Sequence, residues 1–129
     1  MATTERKRIL VVDDNESIRN LIVLMLDNPN YEVLALSSGQ QALSVISDFS
    51  PDLVLLDVMM PQMSGIEVLT AIRNSRKQAL NEVPVVMITA KSLTTDIDKA
   101  IELGATSYIV KPFRSHTLIN LVAKSLSLN

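Results

Sequence analysis

Apolar residues fall along this chain in two patterns that take turns. Ile9–Val12, Leu53–Leu56 and Val85–Ile88 are short unbroken runs rich in β-branched and aliphatic side chains. Such runs predict strands buried on both faces, as in parallel sheets. Glu32–Leu36 and Ser107–Val110 are mixed runs of similar length and predict two more strands. Between them the spacing changes to a helical one. From about Glu16 to Leu26, Ile18, Leu21, Ile22 and Met25 share a face, and Asn28-Pro29-Asn30 ends the segment. Ser38-Gly39 opens a helix through about Ser47, with Ala42, Leu43 and Ile46 inward. Ser64-Gly65 opens another, with Ile66, Leu69 and Ile72 on one side. The polar segment from Asn74 to Glu82 reads as frayed helix and connection. A fourth helix runs from about Thr94 to Leu103 and stops at Gly104, a residue suited to a left-handed cap. His116 to Leu126 forms the last helix.

Strand alternating with helix five times predicts an α/β domain with parallel strands, right-handed crossovers and five helices on both faces of the sheet. No linker, repeat or low-complexity segment interrupts the chain, so residues 1–129 are expected to form one domain. The order 2-1-3-4-5 of the flavodoxin-like, doubly wound five-stranded parallel sheet is carried over from that fold. It would put the switch point between strands 1 and 3. There the strands end in Asp13-Asp14 and in Asp57.

Composition narrows the chemistry. With no cysteine and one histidine, thiolate and multi-histidine metal sites are excluded. A net charge of −2 offers no electrostatic footprint for nucleic acid. The polar N-terminus lacks the apolar stretch of a signal peptide, and no apolar run approaches a membrane span. The expectation is a soluble cytoplasmic protein without direct contact to nucleic acid or membrane.

The strand ends collect the reactive groups. Strand 1 ends in Asp13-Asp14, strand 3 in Asp57, strand 4 in Thr89-Ala90 and strand 5 in Lys111-Pro112. Parallel strands bring these ends to one edge. Three carboxylates in one crevice repel each other unless a cation joins them. An all-oxygen donor set suits Mg²⁺, which also binds phosphoryl oxygens. The Lys111 ammonium and the Thr89 hydroxyl would complete a phosphate pocket. A carboxylate nucleophile would then give an aspartyl phosphate.

Four motifs in this order resemble the receiver domain of two-component response regulators, and in particular the stand-alone chemotaxis type. They are Val11-Val12-Asp13-Asp14, the stretch from Leu56-Asp57-Val58-Met59-Met60-Pro61 to Ser64-Gly65, Ile88-Thr89-Ala90, and Gly104-Ala105 through Tyr108-Ile109-Val110-Lys111-Pro112-Phe113. The resemblance covers about residues 8 to 127. It implies that Asp57 is the phosphoacceptor. Asp14 would be a direct Mg²⁺ ligand, Asp13 would act mainly through a metal-bound water, and the Met59 carbonyl would complete the protein ligands. Lys111 would pair with the phosphoryl oxygens, and Thr89 would bond to the phosphoryl group and draw its loop inward. Ala90 would leave room for the phosphodonor. Tyr108 would be an aromatic switch that turns inward, and Lys111-Pro112 would be a cis peptide. The implied donor is a histidine kinase or a histidine phosphotransfer protein. The implied readout is a downstream protein target on the face of the fourth helix, fifth strand and last helix.

Several residues admit plainer roles. His116 reads as a surface residue at a helix start rather than a phosphocarrier. Met59, Met60 and Met63 read as packing, with an adaptable partner surface as the alternative. Met59, and Lys91 two residues after Thr89, cannot position an attacking water through a carboxylate or amide, which implies slow autodephosphorylation. Leu118, Leu121 and Val122 of the last helix can cover the sheet, while Ile119, Ala123 and Leu126 lie off that stripe and would suit a partner or a homodimer.

Competing functions fare less well. An aspartate-nucleophile phosphatase needs a second acid where Met59 stands, and Asp13-Asp14 would repel a flavin phosphate. The chain is therefore expected not to be a turnover enzyme; it would catalyse only its own phosphorylation and dephosphorylation. Thr106-Ser107 replaces an acidic pair common in winged-helix regulators, and little follows Lys124. The first argues against that subfamily's dimer contacts, and the second favours a stand-alone receiver over the receiver half of a larger DNA-binding regulator. An unphosphorylated docking module is the remaining alternative.

Overall fold

A computed structural model describes residues 6–90 and 94–127. In chain order its elements are β1 (Lys7–Val12), α1 (Glu16–Met25), β2 (Tyr31–Leu36), α2 (Gly39–Phe49), β3 (Leu53–Asp57), α3 (Gly65–Arg73), α4 (Gln78–Asn81), β4 (Val85–Ala90), α5 (Thr94–Glu102), β5 (Ser107–Lys111) and α6 (Ser115–Ser127). The five strands pair in parallel in the order β2-β1-β3-β4-β5, the order carried over from the flavodoxin-like fold. Among the described residues no helix is long and apolar enough to cross a membrane.

Side chains alternate across the sheet with the period of two that strands impose. Leu10, Val12, Val54, Leu56, Val85 and Met87 face one way, against Ala42, Ile46, Val68, Leu69, Ile72 and Leu80. Ile9, Val11, Leu53, Leu55, Val86 and Ile88 face the other way, against Ile22 and Leu26 on one side and Leu118, Val122 and Leu126 on the other. Thus α2, α3, α4 and α5 cover one face, and α1 and α6 cover the other. The central strand β3 is buried along its whole length, Asp57 included.

Three departures from the sequence reading have physical causes. Among the described residues there are six helices rather than five, because the polar segment before β4 closes one turn, α4. Its backbone is held by bonds to the Lys77 carbonyl, and Leu80 drops into the core. Leu126, assigned to the exposed side of the last helix, is only 6% exposed and joins the core beside Ile22. Leu21, assigned to the inward face of α1, is exposed. Ile119 and Ala123 are exposed, as expected.

Helix starts position the loops at the site edge. Asn15 accepts the Ile18 N–H, and Ser64 and Glu67 form a reciprocal capping box on α3. Gly65 is required by close approach. A Cβ there would run into the Asp57 carbonyl, with the Asp57 carbonyl carbon at 2.9 Å and Val58 Cα at 3.0 Å. The absent side chain lets the start of α3 seat directly on the end of β3, where the Gly65 N–H donates to the Val58 carbonyl at 2.9 Å. Gly104 ends α5 at φ 105°, the left-handed cap read from the sequence.

Candidate metal and phosphoryl site

The residues named from the strand ends meet at one edge, and they lie on the strands more than beyond them. Asp57 closes β3, Thr89 and Ala90 close β4, and Lys111 closes β5, with Ala90 paired to Lys111 in register. Asp13 follows β1 and keeps the ladder going for one more residue, its N–H donating to the Leu36 carbonyl at 3.1 Å. Carboxylate oxygens of Asp13, Asp14 and Asp57 all lie within 4.8 Å of one another. Asp13 and Asp57 are buried, whereas Asp14 is exposed at the rim.

Lys111 reaches into this cluster from the edge strand β5, across β4. Its Nζ stands 3.3 Å from Asp13 Oδ2 and 3.4 Å from Asp57 Oδ1. One ammonium therefore serves two buried carboxylates, and the balance of charge stays negative. The Asp57 carboxyl is pushed up to about 7, by burial first and by the negative charge of Asp13 second, and Lys111 only partly offsets them.

The two oxygens of Asp13 have different tasks. Oδ1 accepts the Asn15 N–H at 2.9 Å and closes the turn into α1. Oδ2 is buried and has the ion pair with Lys111 but no hydrogen bond. A buried carboxylate oxygen without a donor, beside two further carboxylates, fits a hard cation. With oxygen donors alone, the cation that fits best is Mg²⁺. Asp13, Asp14 and Asp57 are the side chains that could hold it.

The other residues named from the sequence take these places. Thr89 is fully buried, one residue past the Ile88 that pairs with Asp57, and its hydroxyl donates to the Ala90 carbonyl at 3.3 Å. Met59 is 61% exposed in the loop between β3 and α3. It lines a groove of about 660 Å³ with Met60, Pro61, Ile66, Glu67 and Lys99. Met60 is buried and Met63 half-buried, so packing accounts for Met60 but not for Met59. Tyr108 is 44% exposed on β5, opposite Met87 and away from the carboxylates. The Lys111–Pro112 peptide is cis. His116 is exposed at the start of α6. Lys91 lies outside the described residues. A larger groove, of about 770 Å³, lies at the opposite edge of the sheet between Ser47, Asp52, Lys77 and Glu82, and holds none of these groups.

Two cations were missed by reading motifs. Arg19, on the first turns of α1, donates from Nη1 to the Asp13 carbonyl at 2.9 Å. Arg73, at the end of α3, donates to the carbonyls of Gly104, Asn81 and Val83. For Arg19 the signal was its place as the one cation of α1, a turn beyond an acidic pair.

Comparison with known proteins follows the same lines. The sequence model of the response regulator receiver domain matches residues 9–123. The DNA-binding response regulator MtrA of Mycobacterium tuberculosis is 40% identical over 126 residues, covering 98% of this chain and 53% of MtrA. The phosphate regulon transcriptional regulatory protein PhoB of Pseudomonas aeruginosa is 42% identical over 113 residues, covering 88% of this chain and 48% of PhoB. The chain thus spans about half the length of the curated relatives it matches. Among solved structures, the chemotaxis protein CheY4 of Vibrio cholerae superposes with a TM-score of 0.85 at 30% identity, over 93% of this chain and 98% of that one. NtrX of Brucella abortus gives 0.86 at 32% identity, over 95% of this chain and 27% of that one.

Proposed function

Because this chain belongs to the response regulator receiver family, we propose that it is a phosphorylation-driven signalling switch in which Asp57 is the acceptor. The single observation that carries this reading is the pairing of Asp57 and Asp13 around one lysine. Two buried carboxylates share Lys111, a third, Asp14, stands within reach, and one buried oxygen, Asp13 Oδ2, has no hydrogen-bond donor.

Asp14, Asp13 and Asp57 would hold Mg²⁺, with the Met59 carbonyl as a further ligand. The ion would supply charge neutralisation for the transferring phosphoryl group. An Asp57 oxygen attacks the phosphorus of the donor, the bond from phosphorus to the donor's leaving group breaks, and the carboxyl becomes an aspartyl phosphate. Lys111, already 3.4 Å from Asp57, is placed to pair with the added phosphoryl oxygens. Ala90, at the rim beside it, leaves the approach open. The phosphoryl group brings about −1.5 to −2 charge into a negative pocket. Thr89 exchanges the Ala90 carbonyl for a charged phosphoryl oxygen, a stronger acceptor, which draws the end of β4 inward. Tyr108, now exposed, turns into the space this vacates. The altered face is that of α5, β5 and α6, where a downstream protein reads it.

The donor in this reading is a histidine kinase or a histidine phosphotransfer protein, and the protein is cytoplasmic. It turns over no substrate other than its own phosphoryl group. A second reading is favoured by the relatives: MtrA is a DNA-binding regulator about twice as long as this chain. On that reading the chain is the receiver half of such a regulator, and the contact with DNA belongs to the other half.

The switch is tested by nuclear magnetic resonance with Mg²⁺ and beryllofluoride, which stands in for the phosphoryl group. Amide signals of Thr89, Tyr108 and Lys111 should move together in the native protein and stay still in Asp57→Asn. Still signals in the native protein, or equal shifts in the variant, contradict the reading.

A further inference from the structure

We propose that Arg19 is a positioning residue for Asp13 and Asp14, holding the peptide between them so that both carboxylates converge on one cation. The inference rests on the Mg²⁺ site just proposed and adds a residue to it. The carbonyl that Arg19 grips at 2.9 Å belongs to the peptide bond joining Asp13 to Asp14. Fixing that peptide plane fixes ψ of Asp13 and φ of Asp14 together, and hence the directions in which the two side chains leave the backbone. The same turn is held at two other points. The Asp13 N–H donates to the Leu36 carbonyl, and Asp13 Oδ1 accepts the Asn15 N–H at 2.9 Å. Both of those bonds lie on the Asp13 side of the shared peptide or span it. Arg19 is the side chain that grips the peptide itself.

What Arg19 does not bond to is equally informative. Among the described residues it makes no ion pair, although the carbonyl it grips belongs to Asp13, whose carboxylate lies within 4.8 Å of those of Asp14 and Asp57. A guanidinium paired with a carboxylate would compete with a metal for that oxygen. On the carbonyl, Arg19 adds no second cation to Asp13 Oδ2, which already pairs with Lys111, and none to the Asp14 carboxylate, while it adds a positive charge to a crowded acidic crevice. It is half-buried on α1, and the β1–α1 turn it spans is capped by Asn15, so the helix places it without further support. Partners that orient metal ligands in this way set affinity as the ligands themselves do.

Isothermal titration calorimetry with Mg²⁺ alone tests this, alongside urea unfolding in EDTA. Arg19→Met removes the bond. Arg19→Gln keeps a polar helix former whose amide is two bonds too short to reach the carbonyl. Both should weaken Mg²⁺ binding about tenfold or more, and Arg19→Lys, which keeps charge and a donor, should recover part of the loss. A stabilising bond alone predicts a lower unfolding free energy with unchanged Mg²⁺ affinity. Native affinity in Arg19→Met or Arg19→Gln therefore overturns the proposal, whatever happens to stability. Asp14→Asn separates the two levels: if the native protein shows no Mg²⁺ heat that this variant loses, the metal site itself fails and the role of Arg19 with it.

Discussion

Lys111 Nζ stands 3.4 Å from Asp57 Oδ1, and yet the Asp57 carboxyl is raised from 3.8 to about 7. Attraction from one shared ammonium loses to burial and to the negative charge of Asp13. In the folded, metal-free protein Asp57 thus keeps its proton to higher pH than in the unfolded chain. Its contribution to stability is complete below about pH 4 and is lost as pH rises towards about 7. Urea unfolding in EDTA across this range should show it as a difference between the native protein and Asp57→Asn. The variant lacks that slope and is the more stable of the two at pH 8. Equal slopes would mean that Asp57 titrates normally.

Gly65→Ala should destabilise the fold and disturb the site at once. The added methyl group meets the backbone of Asp57 and Val58, which cannot yield as a flexible side chain could. A cost of about 3 kcal/mol is expected, seen as a shift of the urea midpoint at unchanged slope. A shift of less than a few tenths of that value would mean that α3 can slide on β3.

Arg73 ties α3 to the start of β4 and to the cap of α5 through the Val83 carbonyl at 2.7 Å and the Gly104 carbonyl at 2.9 Å. Partial burial lowers its pKa without approaching a range in which it would lose its proton. Arg73→Met leaves these carbonyls without a charged donor and should cost about 3 kcal/mol. Because Arg73 lies far from the carboxylates, Mg²⁺ affinity should not change. Calorimetry that finds weaker Mg²⁺ binding would show coupling between the two ends of the sheet.

Met59 sits exposed two residues after Asp57 and offers no group that could orient a water. Met59→Asn should shorten the lifetime of the aspartyl phosphate, and Lys91→Glu, two residues after Thr89 in sequence, should do the same. Decay of the phosphorylated protein followed by mass spectrometry checks both. No acceleration in either variant would refute slow autodephosphorylation as a property of these two positions.

The sheet was legible in the sequence because β1, β3 and β4 are continuous apolar runs that end on or next to charged or hydroxyl residues. Asp13, Asp14, Asp57 and Lys111 could be placed together because parallel strands share an edge. The segment before β4 was legible only as frayed helix and connection, and not as a separate element, since the four residues QALN of α4 give no periodicity and only Leu80 is buried. Leu126 and Leu21 were misassigned because a stripe on a helical wheel does not say where a neighbouring element ends. Arg19 and Arg73 escaped for a different reason. They donate to backbone carbonyls, which every residue has, so no partner residue type marks them.

The most direct measurement is intact mass after incubation with acetyl phosphate and Mg²⁺. The account predicts a gain of one phosphoryl group that disappears in Asp57→Asn and in EDTA. Retention of the phosphoryl group in Asp57→Asn, or no gain in a folded protein that binds Mg²⁺, would contradict Asp57 as an acceptor that this site alone makes reactive.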